Sequence, residues 1–262
     1  RSVGVSDMSV SLRQKTEWFE LDGELNVDAK QVYSMQVLLE LVKAGNSRFL
    51  QLADGQFLTL TAELRKRLEE LEHFNNKGQV HSLHAINLEE TIDGMGVDAD
   101  DAWEKFKQRL QAARDLEPQL PSTLQADLRD YQVQGYNWLS RLSEWGAGAC
   151  LADDMGLGKT LQALALIINR AVDGPTLVLA PTSVCANWIA EAARFSPTLN
   201  PIQFGATGPG TKSRKKTLDE LKPYDLLICS YGLLQSEAES LQNIHWHTIV
   251  ADEAQAFKNA AT

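Results

Sequence analysis

The stretch Leu151-Ala-Asp-Asp-Met-Gly-Leu-Gly-Lys-Thr160 decides the fold of this chain. It follows a small apolar run, Ala147 to Ala152, that reads as a strand, and it opens an apolar helical run from Leu161 to Val172. A Gly-rich turn between strand and helix aims backbone N–H groups and a helix N-terminus at one point, which suits a phosphate. In such a loop Asp154, Met155, Gly156, Leu157 and Gly158 supply the cradle. Lys159 reaches the β- and γ-phosphates, and the Thr160 hydroxyl ligates Mg²⁺. The strict pattern asks for Gly six residues before Lys159, where Asp153 stands. An ordinary Gly-rich turn is the competing reading, and the strand–loop–helix setting weighs against it.

A second element supports the first. Ile244 to Ala251 reads as a strand, with Asp252-Glu253-Ala254-Gln255 at its carboxyl end. Open α/β sheets bind ligands at the carboxyl ends of their strands, so both loops are expected in one crevice. There Asp252 would hold Mg²⁺, directly or through water, and Glu253 would polarise the attacking water. The alternative is a solvated acidic turn after a buried strand.

Composition narrows the class. The 262 residues suffice for one large core or two modest ones, and 44% hydrophobic with 23% charged is ordinary globular usage. No apolar run approaches the ~20 residues of a membrane span, and no signal peptide opens the chain, so a cytoplasmic, nucleoid-associated protein is expected. Cys150, Cys185 and Cys229 lie in or beside apolar strand-like segments, without CxxC or Cys/His ligand spacing, and are expected to be buried free thiols. His81 and His84 lack an acidic or Cys partner at ligand spacing and read as a solvated pair. The net charge of −10 argues against a general polyanion-binding surface. Residues 1–119 hold 21 acidic and 14 basic side chains, and residues 120–262 hold 14 and 11. Nucleic acid would therefore have to be held in a local groove through backbone contacts.

Two regions meet near Glu117-Pro-Gln-Leu-Pro-Ser122, where the prolines end a charged helix spanning 102–116. Residues 1–119 read as an α+β accessory domain. It has a strand at Trp18 to Val27, a helix from Ala29 to Lys43 with Gly45 as its stop, and a hairpin from Arg48 to Leu60 around Asp54-Gly55. Thr61 is placed to cap a helix from Ala62 to Phe74. Residues 120–262 alternate helix and strand: helices at 130–142, 161–172 and 186–195, and strands at 147–152, 176–180, 201–204, 226–230 and 244–251. The continuous apolar run Thr176 to Ala180 suits a parallel sheet covered on both faces, so the second half reads as doubly wound α/β.

The residues from Leu128 onward resemble the Swi/Snf-type DNA translocases of helicase superfamily two. Leu128-Arg-Asp-Tyr-Gln-Val-Gln-Gly-Tyr-Asn-Trp-Leu139 is similar to their Q-motif block, and Asp153 to Thr160 to motif I, including the Asp in place of Gly. Leu179 to Trp188 resembles motif Ia, Ser230 to Leu234 the block before motif II, and Asp252 to Asn259 motif II in a DEAQ form used by bacterial members. The N-terminal region resembles, more weakly, the segment preceding the motor in such members. The resemblance implies a RecA-like first motor lobe, ATP with Mg²⁺, and double-stranded DNA as the track. Gln132 would read the adenine edge, with Tyr131 and Arg129 shaping the pocket, and Gln255 would couple the nucleotide site to a second lobe. Pro181, Thr182, Ser183, Ser230 and Tyr231 would touch one DNA backbone without reading sequence. Lys212 to Lys216, after the Gly205-to-Gly210 stretch, is the one basic cluster and reads more simply as solvated charge. Trp138 and Trp188 are expected to be core aromatics.

The sequence stops at Thr262, just past the motif II block. The resemblance implies a following strand and a second lobe with an arginine finger, which contributes about 10³–10⁵ in turnover. The chain is therefore expected to be the N-terminal part of an ATP-driven translocase, C-terminally incomplete, binding nucleotide weakly and hardly hydrolysing it. One sheet edge should be unpaired and apolar. A transcription or repair complex, reached through the accessory domain, is a further implied partner. Two rivals stay open at this point: a phosphate-loop ATPase indifferent to nucleic acid, and a catalytically silent interaction module.

Overall fold

A computed structural model describes residues 2–15, 18–28, 31–44, 49–51, 57–74, 78–81, 84–206 and 213–257. The chain divides into two compact units, Arg1–Asp115 with Glu144–Ala147 and Leu116–Ser143 with Gly148–Thr262.

The first unit is built on alternation. Strands β1 (Ser2–Val3), β2 (Met8–Lys15) and β3 (Trp18–Asp28) open it, and β2 pairs antiparallel with β3 from Met8↔Leu25 to Lys15↔Trp18. Met8, Val10 and Leu12 on β2 and Phe19, Leu21, Leu25 and Val27 on β3 all point inward and are buried, as period-2 patterning requires. Gly23 interrupts the β3 series because a Cβ there would stand 2.7 Å from the Ser9 carbonyl oxygen. Strand β4 (Gln31–Ser34) pairs with β3, and helix α1 (Met35–Ala44) follows. The helix expected from Ala29 therefore starts later. Val32 and Ser34 alternate with Gln31 and Tyr33, and ladder pairing to β3 takes those residues before a helix can nucleate. Strands β5 (Phe49–Gln51) and β6 (Phe57–Leu60) form the expected antiparallel pair; Gly45 and the Asp54-Gly55 turn lie outside the described residues.

Thr61 Oγ1 accepts the Leu64 N–H at 3.2 Å and caps α2 (Ala62–Phe74), which buries Leu64, Leu68 and Leu71 along one stripe. Strand β7 (Gln79–His81), helix α3 (Ala85–Ile92), strand β8 (Gly96–Ala99) and helix α4 (Asp101–Asp115) complete the unit. Asp100 precedes α4; its carboxylate accepts the Trp103 N–H at 3.0 Å and the Gln14 N–H at 2.7 Å. Trp103 and Phe106 from α4 pack against Phe19 at the heart of this core, with ring centroids 5.1 and 5.5 Å away.

The second unit is a parallel sheet. Helix α5 (Asp130–Trp145) precedes α6 (Lys159–Arg170), and strand β9 (Thr176–Ala180) follows. Then come α7 (Thr182–Phe195), β10 (Asn200–Gln203), α8 (Arg214–Asp219), β11 (Asp225–Ser230), α9 (Tyr231–Gln242) and β12 (Thr248–Ala251). The strand order is β10-β11-β9-β12, all parallel. Alternate residues of the central strands feed two cores: Val178, Ala180, Leu226 and Ile228 meet α6 and α7, while Leu177, Leu179, Leu227 and Cys229 meet α8 and α9. Helices thus cover both faces, the doubly wound arrangement expected from the continuous apolar strands. After β9 the chain passes over β11 to β10 at one edge, steps back to β11, and then crosses β9 to β12 at the other edge.

Four expectations are corrected. Residues 147–152 form no strand, and Gly148, Ala149, Cys150 and Ala152 are exposed. These small side chains bury little area, and pairing alone does not hold a parallel strand without cover on both faces. Strand β12 begins at Thr248 rather than Ile244, because turn hydrogen bonds from Ile244 N–H to Leu241 and Trp246 N–H to Ile244 use the preceding backbone. Cys150 is exposed, unlike the buried Cys185 and Cys229. Trp138 is 43% exposed and is no core residue, whereas Trp188 is buried. Among the described residues β12 pairs only with β9, and Ile249 on it is 58% exposed, so the bare apolar edge is present.

Candidate functional site

The phosphate loop is shaped by two left-handed glycines. Gly156 has φ 84° and Gly158 φ 73°, values that a Cβ makes unfavourable, and Gly158 occupies the N-cap position of α6. Nothing lies within 4 Å of a Cβ built on Gly156, so the loop crest is open. Asp153, Asp154, Met155 and Leu157 are exposed around it, with Met155 at 88%. The Leu161 and Gln162 N–H groups bond the Gly158 carbonyl, while those of Lys159 and Thr160 stand ahead of it at the head of α6, where an anion could be received. Lys159 folds back, its Nζ donating to the Asp153 carbonyl at 2.6 Å and the Asp154 carbonyl at 3.0 Å. An incoming phosphate would compete with two neutral carbonyls for that ammonium, and a charge-assisted bond is the stronger.

Helix α5 closes on the same loop. The Gln132 amide accepts the Arg129 N–H at 2.9 Å and donates to the Leu157 carbonyl at 3.1 Å, and the Tyr131 hydroxyl donates to that carbonyl at 3.3 Å. Gln132 is buried, while the Arg129 side chain stands in solvent. A Cβ on Gly158 would overlap the Gln132 Nε2. The glutamine is thus a staple between the helix and the loop. One layer deeper, Gln162 of α6 is fully buried against Gly135 of α5, and neither of its amide atoms has a hydrogen-bond partner. Sequence reasoning passed over Gln162, because a polar residue in an amphipathic helix gives no sign of burial.

The acidic element sits at the same end of the sheet. Arg170, the last residue of α6, donates from Nε to Thr248 Oγ1 at 3.0 Å and from Nη2 to the His247 carbonyl at 3.3 Å. The end of the helix is therefore pinned to the start of β12. Helix and strand run in opposite senses, and the loop at the head of α6 faces the carboxyl end where Asp252 begins. There the Asp252 N–H donates to the Leu179 carbonyl at 2.8 Å. Asp252 Oδ2 accepts the Trp188 indole N–H at 2.8 Å, and Oδ1 accepts the Glu253 N–H at 2.9 Å. The Tyr231 hydroxyl donates to the Asp252 carbonyl at 2.5 Å. Glu253 has φ 53°, a conformation costly for a residue with a Cβ and held here by the bonds on both sides of Asp252. Its carboxylate accepts from the Gln255 amide, so Gln255 meets Glu253.

Electrostatics mark this corner as negative. Burial, and then the charge of Asp252, push the Glu191 carboxyl above its ordinary value, with Arg194 opposing. Burial and the charges of Asp252 and Glu253 raise the Tyr231 phenol in the same way. Asp252 has each oxygen singly engaged, and a carboxylate offers about four lone-pair sites. A carboxylate and a hydroxyl are oxygen donors of the kind a divalent cation takes, so Asp252 and Thr160 are the residues that could hold one. No cluster of three His, Cys, Asp or Glu side chains able to hold a metal alone occurs among the described residues.

The residues expected at nucleic acid split into two turns. Thr182 and Ser183 are exposed in the first turn of α7, after Pro181 at its cap position. Ser230 caps α9 by accepting the Leu233 N–H at 3.3 Å, with Tyr231 beside it. In the basic cluster, Arg214 is paired with Glu237 at 2.5 Å and Lys216 lies 3.9 Å from Glu220; Lys212 is outside the described residues, as are Lys258 and Asn259. Trp188 was legible only as a core aromatic, and nothing in its sequence position announced the bond to Asp252.

Comparisons with known proteins bear on the family of the chain. Over 160 residues the chain is 41% identical to a Bacillus subtilis protein provisionally named an ATP-dependent helicase/translocase, YwqA, covering 59% of this chain and 17% of the relative. It is 32% identical over 210 residues to the chromatin-remodelling ATPase INO80 of Schizosaccharomyces pombe, covering 76% of this chain and 13% of the relative. The ISWI chromatin-remodelling complex ATPase CHR11 of Arabidopsis thaliana is 38% identical over 143 residues, 53% of this chain and 14% of that one. The chain thus spans less than a fifth of each of these relatives. The Sulfolobus solfataricus SWI2/SNF2 ATPase core in complex with dsDNA is 36% identical over 56% of this chain and 30% of its own, with a TM-score of 0.49. Residues 131–262, half of the sequence, match the SNF2-related domain, and the chain belongs to that family.

Proposed function

We propose that this chain is the nucleotide-binding part of a motor that hydrolyses ATP with Mg²⁺ to move along double-stranded DNA. The support for the reading is that Arg170 ties the end of α6 to the start of β12, which directs the Gln132-stapled loop at the head of α6 toward the end of the sheet where Asp252 follows β12. Gly156, Gly158 and the first turn of α6 would take the phosphates, with Asp154, Met155 and Leu157 forming the rim. Lys159 would leave the Asp153 and Asp154 carbonyls to neutralise the β- and γ-oxygens. Thr160 and Asp252 would hold Mg²⁺, which supplies charge neutralisation of the transferring phosphoryl group. Glu253, exposed beside Asp252, would orient the attacking water, and Gln255 would steady that carboxylate and respond to a second lobe. Gln132 would exchange the Leu157 carbonyl for the adenine edge, so nucleotide entry would loosen the staple it now forms.

Pro181 to Ser183 and Ser230-Tyr231 would contact one phosphate backbone. The helicase, translocase and remodeller names of the relatives support duplex DNA as the track, and so does an acidic surface that leaves binding to local N–H and hydroxyl contacts. Residues 1–119 would serve as an accessory domain toward a transcription or repair partner. No helix among the described residues is long and apolar enough to cross a membrane, which is compatible with a nucleoid-associated protein.

The test is steady-state ATP turnover by the intact protein with and without duplex DNA, beside Lys159→Ala. Strong stimulation by duplex that disappears in the variant is expected. Turnover indifferent to DNA would replace this reading with a phosphate-loop ATPase of another kind. No turnover at all would leave an interaction module.

A further inference from the structure

The two turns proposed to touch DNA share one feature: each leads by a single hydrogen bond to Asp252. Helix α7 presents Thr182 and Ser183 to solvent in its first turn. Six residues on, about 9 Å along its axis, it places the Trp188 indole N–H 2.8 Å from Asp252 Oδ2. Helix α9 opens with the capping Ser230, and its first residue, Tyr231, donates its hydroxyl to the Asp252 carbonyl at 2.5 Å. One bond fixes the carboxylate and the other fixes the peptide that carries it. Trp188 is 2% exposed, wedged into the core formed by α6, α7 and the sheet, so its indole has little freedom apart from its helix. Asp252 has one further restraint on its carboxylate, the N–H of Glu253, which travels with it.

We infer that Trp188 and Tyr231 are positioning residues that make the aim of the Asp252 carboxylate depend on how α7 and α9 sit, so that duplex DNA engaged at their N-termini sets the metal-binding acid. The inference rests on the functional reading above and adds the route by which DNA reaches the nucleotide site. Phe at 188 would keep an apolar ring at the cost of some core volume, and Phe at 231 would keep the ring of Tyr. What Trp and Tyr add at these two positions is a donor, and both donors are spent on the same residue. Neither side chain touches nucleotide or the reacting atoms in this role. Displacement of α7 would strain the charge-assisted bond from Trp188 to the carboxylate, the stronger kind, and displacement of α9 would strain the neutral bond from Tyr231 to the Asp252 carbonyl.

The test compares the intact wild-type protein with Trp188→Phe and Tyr231→Phe, each checked for folding by circular dichroism and thermal melting. Equilibrium affinity for a non-hydrolysable ATP analogue with Mg²⁺ is measured with and without saturating duplex. Coupling between two sites typically amounts to about 5–150-fold, and each substitution is expected to reduce the wild-type ratio at least about threefold, the worth of one hydrogen bond. A second readout needs no nucleotide. The Trp188 indole N–H resonance, assigned by its loss in Trp188→Phe, should move when duplex is added and stay still in a Thr182→Ala, Ser183→Ala protein. A merely structural indole would not follow DNA. Should Trp188→Phe fail to fold, Tyr231→Phe carries the affinity comparison alone. Ratios within twofold of wild type in the folded variants, with an indole resonance blind to duplex, would overturn the inference and leave the translocase reading standing. Wild-type protein that does not bind duplex would remove both.

Discussion

Two glycines two residues apart in the phosphate loop make a controlled comparison. Gly156 and Gly158 both have left-handed backbones, at φ 84° and 73°, so alanine at either position brings a conformational penalty of about 1–2 kcal/mol. Their surroundings differ. A Cβ at 156 meets nothing within 4 Å, whereas one at 158 overlaps the Gln132 Nε2 and must push it off the Leu157 carbonyl. Losing that bond adds about 0.5–1.5 kcal/mol, and moving a buried amide adds a packing term of similar size. Gly156→Ala is therefore expected to destabilise the second unit by about 1–2 kcal/mol. Gly158→Ala should do so by about 2–5 kcal/mol. The assay is denaturant unfolding, read as the shift in midpoint at constant slope. The decisive arm repeats both substitutions in a Gln132→Ala background, where the excess cost at 158 should vanish because the obstructing amide is gone. An excess that persists without Gln132, or equal costs of the two alanines in wild type, would refute the staple.

Three further outcomes are expected. Gln162→Leu should stabilise the protein by about 1–3 kcal/mol in the same assay, because it removes a buried amide that has no partner and keeps a similar volume; destabilisation would mean that the amide is satisfied in solution. Asp100→Ala should cost about 0.5–2 kcal/mol through loss of the α4 cap. The Gln14 N–H, and then that of Trp103, hold the Asp100 carboxyl below its ordinary value, so its contribution is complete above that value and is lost as pH falls through the lower folded value. The cost of the substitution, measured from pH 7 down to pH 2, should accordingly shrink only at the acid end. Finally, mass spectrometry after brief alkylation of native protein at pH 8 should find Cys150 modified. Cys185 and Cys229 should be spared, since both are buried and burial pushes the Cys229 thiol up to about 12. Equal labelling of all three would contradict the described core.

The second unit was more legible than the first, and the reasons are physical. Thr176 to Ala180 reads as a strand because parallel strands covered on both faces are apolar without interruption, and the structure places β9 on those residues. The phosphate loop was legible because left-handed turns select glycine at fixed offsets. Strands β1, β2, β4, β7 and β8 and helix α3 were missed; Gln79–His81 and Gly96–Ala99 are short and polar, and only pairing to β3 and β2 makes them strands. Residues 147–152 misled in the opposite direction: their apolar character suggested a strand, but no described neighbour covers it. In the site, the residue types were readable from spacing, while the hydrogen bonds of Trp188 and Tyr231 to Asp252 join positions 64 and 21 residues apart and leave no periodic trace.

Strand β12 differs from its neighbour in a way that reaches beyond the static fold. Every residue of β9 is buried between two strands, whereas β12 alternates half-buried and exposed positions and, among the described residues, has one partner strand. Native-state hydrogen exchange should therefore grade across the sheet, slowest in β9 and β11 and faster along the edge strands β10 and β12, where backbone opens without breaking the central ladder. Asp252 follows the end of one of these edge strands, tied back to β9 by its own N–H. The acid is thus mounted on an edge strand of a stiff frame, where its aim is set by the hydrogen bonds that reach it from the neighbouring helices rather than by the sheet alone.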